Sequence, residues 1–144
     1  MKIKLKTYVK QRELSYLNGR MKLKLECEAT ESWFIVDTGS PRTIINYVEA
    51  EMLRVKFENL KSEEIIGIGG KNLQSYSCKL KLNFETEEDK VVEEEMEVRL
   101  FIPKTKEELK EVAQIPTIIG TDFLREKRFK LFCDLANEIA YLEC

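Results

Sequence analysis

Alternating hydrophobic and polar residues dominate this chain and predict β-strands. Apolar or small side chains alternate with lysines over residues 3–7, and with Lys and Glu over residues 21–27. The alternation returns over residues 75–84 and, less regularly, over residues 91–102, while residues 33–36 form a short unbroken apolar run. A side-chain period of two indicates a strand with one buried face, and a short apolar run indicates a strand buried on both faces. The pattern therefore predicts an all-β protein.

Turn signals separate the predicted strands. The Asn18-Gly19 pair between the first two strands is typical of a two-residue hairpin turn. The polar stretch 85–90 predicts another turn, and residues 129–134 and 138–142 predict a C-terminal hairpin. The acidic run from 85 to 97 invites a metal-binding interpretation, but solvated turn and strand faces explain it better in a chain rich in Glu.

Helix signals are few and short. Residues 47–53, 105–112 and 122–127 are the candidates, and Thr105 with Glu108 has the spacing of a capping box. No linker or low-complexity segment divides the chain, and its 144 residues are enough to bury a core. We therefore expect residues 1–144 to form one domain with small helical inserts.

Composition narrows the possible chemistry. The 24 basic and 26 acidic residues nearly cancel, which argues against a nucleic-acid binder. The chain contains no histidine, so Ser-His-Asp and Cys-His nucleophile systems and histidine metal ligands are excluded. Acid–base chemistry must therefore use carboxylates, Lys, Tyr or Cys.

The four cysteines, Cys27, Cys78, Cys133 and Cys144, are widely separated and form no C-x-x-C pair. The N-terminus lacks the apolar core of a signal sequence, and no apolar run is long enough to span a membrane. We expect reduced thiols, no metal or other cofactor, no membrane association and a cytoplasmic location, with zinc held by four distant thiolates as the less favoured alternative.

Two aspartates stand beside glycines that follow apolar strands. Asp37-Thr38-Gly39-Ser40 ends the apolar run, and would present one carboxylate at a tight turn, although this is also a common turn composition. Ile118-Ile119-Gly120 is followed by Asp122, which suggests a strand, a close backbone approach at the glycine and an acid that caps a helix.

A glycine-rich segment lies between these two motifs. Residues 65–70 end in Gly67-Ile68-Gly69-Gly70, which predicts a mobile hairpin tip. A phosphate-binding loop is the alternative, but the segment lacks a following Lys-Ser/Thr and a long helix.

The three motifs, in this order, resemble the retropepsin-like aspartic proteases, and especially their cellular and microbial members. The resemblance runs from about Trp33 to Leu142 and implies a closed β-barrel with one or two short helices. It implies a catalytic turn at 37–39, a flap tip at 67–70 and an apolar strand at 118–120 that packs behind the turn. It also implies that Asp122 is structural, that Ser40 and the tip contact substrate, and that residues 103–114 are an insertion relative to compact viral enzymes.

The implied mechanism needs two carboxyl groups. Two carboxyl groups a few ångströms apart share one proton, as is established for aspartic proteases. Only one Asp-Thr-Gly occurs here, so the resemblance implies a homodimer with Asp37 from each copy, Thr38 bracing the pair, and a peptide or protein as substrate. The terminal segments 1–9 and 139–144 are the candidate interface strands.

Two alternatives to an aspartic endopeptidase remain open at this point. The first is a catalytically silent retropepsin-like module for dimerisation or peptide binding. The second is a β-barrel that binds a nucleotide or a metal ion.

Overall fold

Nine strands and three α-helices make up the part of the chain that the computed structural model describes, residues 1–10 and 13–144, with side chains outside residues 8–15. The strands are β1 (Lys2–Lys10), β2 (Glu13–Leu25), β3 (Glu28–Val36), β4 (Lys61–Ile68), β5 (Lys71–Glu85), β6 (Val91–Phe101), β7 (Thr117–Ile119), β8 (Lys130–Asp134) and β9 (Ile139–Glu143). The helices are α1 (Tyr47–Met52), α2 (Lys106–Val112) and α3 (Thr121–Glu126), with a 3₁₀ turn at Phe57–Asn59. The prediction of a mostly β protein is confirmed.

All nine strands belong to one branched sheet. Its main path runs β4-β5-β2-β1-β9-β8, while β3 pairs with β2 and with the parallel strand β7, and β6 pairs with β5. The long strand β2 pairs with β1 near its start and with β5 near its end, so the sheet forks there. Because the outer strands β4 and β8 do not pair with each other, the expected closed barrel is wrong. The resemblance implied one or two short helices, whereas the described part of the chain has the three that the residue pattern predicted.

The main core lies between the sheet and α3, and it contains a chain of aromatic rings. Phe34 meets Phe84 edge-on at 5.6 Å between ring centroids, and Phe84 lies 5.5 Å from Phe123. Phe123 in turn stacks on Phe129 at 5.0 Å. Each such pair adds about 1 kcal/mol beyond the burial of its area. These contacts fix α3, and with it the strand and glycine before it, against the sheet.

A smaller apolar group, called here the second cluster, lies apart from the main core. Its buried members are Ile44, Ile66, Phe101, Val112, Ile115 and Ile118, and the partly buried Ile35, Tyr47, Ile68 and Leu73 pack against it. These residues come from β3 to β7, from α1 and α2, and from the loop after β3. The second cluster therefore joins the β4–β5 hairpin, the α2 region and the segments around Asp37.

The predicted hairpin turn at Asn18-Gly19 is wrong, because β2 runs straight through both residues. Asn18 pairs with Ile35 and Gly19 pairs with Phe34 on β3. A Cβ at Gly19 would lie 2.5 Å from Cζ of Phe34 and 3.1 Å from Cδ2 of Leu5. The glycine therefore makes room for the Phe34 ring in the core, a packing role that local turn chemistry does not reveal.

The run 33–36 is a strand, as predicted, but it is not buried throughout. Trp33 is 52% exposed, whereas Phe34 is fully buried. The Trp33 ring lies 5.1 Å from the Arg20 guanidinium and 5.3 Å from the Lys6 ammonium group. These cation–π contacts let a large aromatic residue stay on the polar face of the sheet.

The three helix predictions and the C-terminal hairpin are confirmed. The Thr105 hydroxyl accepts a hydrogen bond from the Glu108 N–H at 3.1 Å, so it caps α2 as its spacing predicted. The cap of α3 differs from the prediction, because Gly120 occupies the N-cap position and Asp122 lies inside the first turn. The carboxylate of Asp122 is used elsewhere, as described below.

Candidate active site

Asp37 lies on a tight exposed turn directly after β3. Its carboxylate oxygen Oδ1 accepts a hydrogen bond from the Gly39 N–H at 2.8 Å, and its carbonyl accepts one from the Ser40 N–H at 3.1 Å. Its own N–H donates to the Ile119 carbonyl at 3.1 Å, which ties the turn to the end of β7. Asp37, Thr38 and Gly39 are all exposed in the single chain. The turn therefore presents one oriented carboxylate outward.

The segment after the turn is locked to the segment after β7. The Ser40 carbonyl accepts a hydrogen bond from the Thr121 N–H at 2.9 Å, and the Ser40 hydroxyl donates to the Arg42 carbonyl at 2.7 Å. Ile44 and Ile118 exchange both backbone hydrogen bonds, at 2.8 and 2.9 Å. A Cβ at Gly120 would lie 2.5 Å from the Arg42 carbonyl oxygen, so only glycine fits there. The predicted close backbone approach at Gly120 is confirmed.

Asp122 is the buried anchor of this junction. It is 4% exposed, and its carboxylate accepts hydrogen bonds from the Thr43 N–H at 3.0 Å and the Thr43 hydroxyl at 2.7 Å. The Phe123 N–H donates to the same carboxylate at 2.7 Å, and the Gly120 N–H donates to the Thr43 hydroxyl oxygen at 3.1 Å. A buried carboxylate is stable only with such donors. Asp122 therefore supports the turn and does not face solvent.

A second polar network supports the junction from the side of α1. The Asn46 side chain caps α1 and donates to the carbonyls of Ala113 and Ile115 at 2.9 and 2.8 Å. The Thr117 hydroxyl accepts from the Asn46 N–H and donates to the Glu49 carboxylate, both at 2.9 Å. Partial burial raises the pKa of Glu49 above its ordinary value, although hydrogen bonds from Ser32 and Thr117 oppose the rise.

The glycine-rich segment forms the end of the β4–β5 hairpin. Gly67 lies in β4 opposite Asn72, and Ile68 pairs with Lys71 across the turn. Gly69 and Gly70 form that two-residue turn with φ of +58° and +79°, a conformation that glycine adopts without strain. The predicted hairpin tip is therefore present.

The hairpin is linked to the Asp37 turn indirectly. Ile68 packs against the second cluster, which contains Ile44 and Ile118. On β4, the Glu64 carboxylate forms an ion pair with Arg42, which follows the turn, and lies 3.9 Å from Nε of Arg99. The structure thus brings residues 37–40 and 118–121 into direct contact and joins Asp122 to them through Thr43. The tip reaches them through apolar packing and the Arg42–Glu64 pair.

The sequence analysis missed the residues that connect these motifs, namely Arg42, Thr43, Asn46, Glu49, Glu64, Thr117 and the Lys71–Glu111 pair. Thr43 and Asp122 are 79 residues apart, and no local pattern connects them. The Ser-Pro-Arg-Thr stretch after Gly39 carried the only available signal, namely a polar cluster directly after the turn.

The four cysteines take no part in the contacts described for this site. All four cysteines are free thiols, and burial raises the pKa of Cys78 to about 11. Within the described residues, no group of three or more Cys, Asp or Glu side chains is arranged to hold a metal ion. No helix in the same part of the chain is long and apolar enough to cross a membrane.

Comparison with solved structures identifies a similar fold. The chain superposes on a retropepsin-like aspartic protease from Rickettsia conorii with a TM-score of 0.60 and 14% sequence identity. The alignment covers 99% of this chain and 89% of the other. No protein-family model matches the sequence, and no curated protein matches it. The comparison shows a retropepsin-like fold.

Proposed function

We propose that this protein is an aspartic endopeptidase that works as a homodimer, with Asp37 of each copy forming the catalytic pair. The observation that carries the proposal is the outward-facing Asp37 carboxylate, oriented by the Gly39 N–H on a turn in a retropepsin-like fold. The proposal treats residues 1–144 as one catalytic subunit whose substrate is a peptide or an unfolded protein segment.

The second carboxylate has to come from another copy. Asp122 follows the other strand-glycine motif, but it is buried and its oxygens already accept three hydrogen bonds. It cannot approach a substrate or share a proton with Asp37. A two-fold axis that brings two Asp37 turns together supplies the missing group without any other residue.

The reaction then needs only the two carboxyl groups and water. The ionised carboxylate takes a proton from water, the water oxygen bonds to the scissile carbonyl carbon, and the protonated carboxyl gives its proton to the carbonyl oxygen. The tetrahedral diol collapses as one proton returns to a carboxylate and another passes to the amide nitrogen. The C–N bond breaks, an acid and an amine leave, and the pair again holds one proton. Thr38 would brace the pair, and the β4–β5 hairpin would serve as the flap that excludes water.

The expected interface segments 1–9 and 139–144 remain a prediction. In one chain, Lys2–Leu5 of β1 pair with Ala140–Glu143 of β9 and Lys6–Lys10 pair with β2, while β9 has β8 on its other side. The open edge beside them is β8, where Phe132 is 44% exposed. An antiparallel β8–β8 contact centred on Phe132 would place Lys130 of one copy opposite Asp134 of the other, which is favourable. We therefore expect β8 to contribute to the dimer.

Subunit mixing tests the proposal directly. Wild-type and Asp37→Asn protein are mixed in varying ratio at constant total concentration, subunit exchange is verified, and cleavage of a peptide library is followed. Because a heterodimer has one carboxylate, activity should fall as the square of the wild-type fraction. Asp37→Asn alone should lose about 10³-fold or more in rate, and wild-type activity should form a bell on the acid side of neutrality.

The matched control is Asp89→Asn, which makes the same change at an exposed turn residue. It should cleave like the wild type, and a statine-type inhibitor should block both. A linear fall in the mixing series would show that each chain carries a complete site. Peptide binding without cleavage at any pH would instead favour the silent peptide-binding module.

A further inference from the structure

The helix α2 lies in residues 103–114, the segment that the resemblance to viral enzymes marks as an insertion. One end of this segment is anchored in the fold. Its C-terminal end is fixed to the body of the protein by two hydrogen bonds from Asn46, to the carbonyls of Ala113 and Ile115. Val112 and Ile115 are buried in the second cluster. This end of the insertion is therefore a firm part of the fold.

One face of the β4–β5 hairpin lies against that region. Ile66 pairs with Leu73, and Ile68 pairs with Lys71, so these four side chains share a face of the hairpin. Ile66, Ile68 and Leu73 of this face pack in the second cluster with Val112 and Ile115. Ile65, on the opposite face, is 66% exposed. The hairpin thus covers the apolar residues beside the Asp37 turn, including Ile44 and Ile118.

The fourth residue of this face makes an ion pair with the insertion. Lys71 directly follows the Gly69–Gly70 turn, and its ammonium group pairs with the Glu111 carboxylate of α2. Both side chains are about half exposed, so the pair is solvated and weak by itself. The turn beside it carries no side chains that could hold the tip in place. A weak contact at this point can therefore control how often the tip lifts.

We infer that Lys71 and Glu111 form a latch that holds the tip of the β4–β5 hairpin against α2 and so limits access to the second cluster beside the Asp37 turn. Both are positioning residues that act through the hairpin. The part of this inference that concerns substrate entry rests on the proposed function. If only the lifted hairpin admits peptide, the apparent affinity for peptide is the affinity of the lifted form multiplied by the fraction of chains that are lifted.

Hydrogen exchange of the empty protein tests the latch without any need for activity. Glu111→Lys and Lys71→Glu should each speed amide exchange at residues 68–73 by about two- to fivefold, while the amides of β2 and β3 keep their wild-type rates. The double variant with exchanged charges should restore the wild-type rate at the tip. Glu107→Lys, which makes the same charge change at an exposed residue of α2 that pairs with no described residue, should have no effect.

Peptide kinetics provide the second readout. Glu111→Gln should lower KM by a similar factor of about two to five and leave kcat unchanged. Tip exchange that stays at the wild-type rate in both single variants, or that rises equally in Glu107→Lys, would overturn the latch. If the single variants speed exchange at the tip as expected but neither the wild type nor any variant cleaves peptide, the latch is supported and the proposed protease activity is rejected. The two proposals can therefore fail separately.

Discussion

The Asp37 turn and the tip of the β4–β5 hairpin both depend on glycine, but for opposite physical reasons. At Gly120, behind the turn, φ is −94° and any residue could adopt the backbone conformation, yet the Arg42 backbone leaves no room for a Cβ. At Gly69 in the tip, nothing lies within 4 Å of an added Cβ, but φ is +58°. The first glycine is required by its neighbours and the second by its own backbone.

This difference separates a part of the site that has many tertiary contacts from a part that has few. The turn is enclosed by hydrogen bonds from two chain segments and by the buried Asp122 carboxylate. Among the described contacts, the tip is held by the edge of one apolar cluster and by exposed ion pairs. Under the proposed function, the site must orient a carboxylate and also admit a peptide, and it then needs both kinds of construction.

The largest effect on stability should come from adding a methyl group at Gly120, and the same change at Gly69 is the comparison. Gly120→Ala should destabilise the protein by about 3 kcal/mol, because the contact is with backbone that cannot rotate away. Gly69→Ala should cost about 1 kcal/mol, the penalty of a left-handed alanine. Urea unfolding of both variants measures the difference. Equal losses of unfolding free energy in the two variants would mean that the backbone around Gly120 can shift to admit a Cβ.

An intermediate effect should come from the buried carboxylate. Asp122→Asn replaces an acceptor oxygen by an N–H₂ group that faces the Thr43 donors, and should cost about 2 kcal/mol. Asp89→Asn changes the same atoms at an exposed residue with φ of +58°, which asparagine tolerates, and should change stability little. Thermal unfolding of the two variants makes the comparison. If Asp122→Asn loses no more stability than Asp89→Asn, the Asp122 carboxylate does not anchor the junction.

The smallest effect should be a pH dependence from Glu49. Burial raises its pKa in the folded protein above the unfolded value, so its stabilising contribution is complete below the unfolded pKa and is lost as pH rises through the folded one. Relative to Glu49→Gln, the wild type should therefore lose stability as pH rises from about 4 through the raised pKa of Glu49. Melting temperatures across that range test it. Glu51→Gln, on the exposed side of the same helix, is the control and should follow the wild type at every pH.

Several features of the site could be predicted from sequence because their causes are local. The strands follow from the alternating pattern, and the Asp37 turn and the Gly69–Gly70 tip follow from residue types that favour tight turns. Thr105 caps α2 through a residue three positions away. In each case the deciding contacts lie within a few residues along the chain.

The features that could not be predicted depend on distant partners. Asn18-Gly19 has the composition of a turn, but the Phe34 ring requires the glycine inside a strand. Asp122 was expected to cap its own helix, but it binds Thr43, 79 residues away.

The chain by itself thus determined the strands, the short helices and the position of Asp37 on a tight turn, since these depend on side-chain period and turn chemistry. Only the tertiary structure decided that the sheet forks and stays open, that the Arg42 backbone is the segment that closes on Gly120, and that α2 meets the hairpin. The physical reason is that steric exclusion and burial depend on which segments meet in space, and a period of two or a pair of glycines carries no information about distant neighbours.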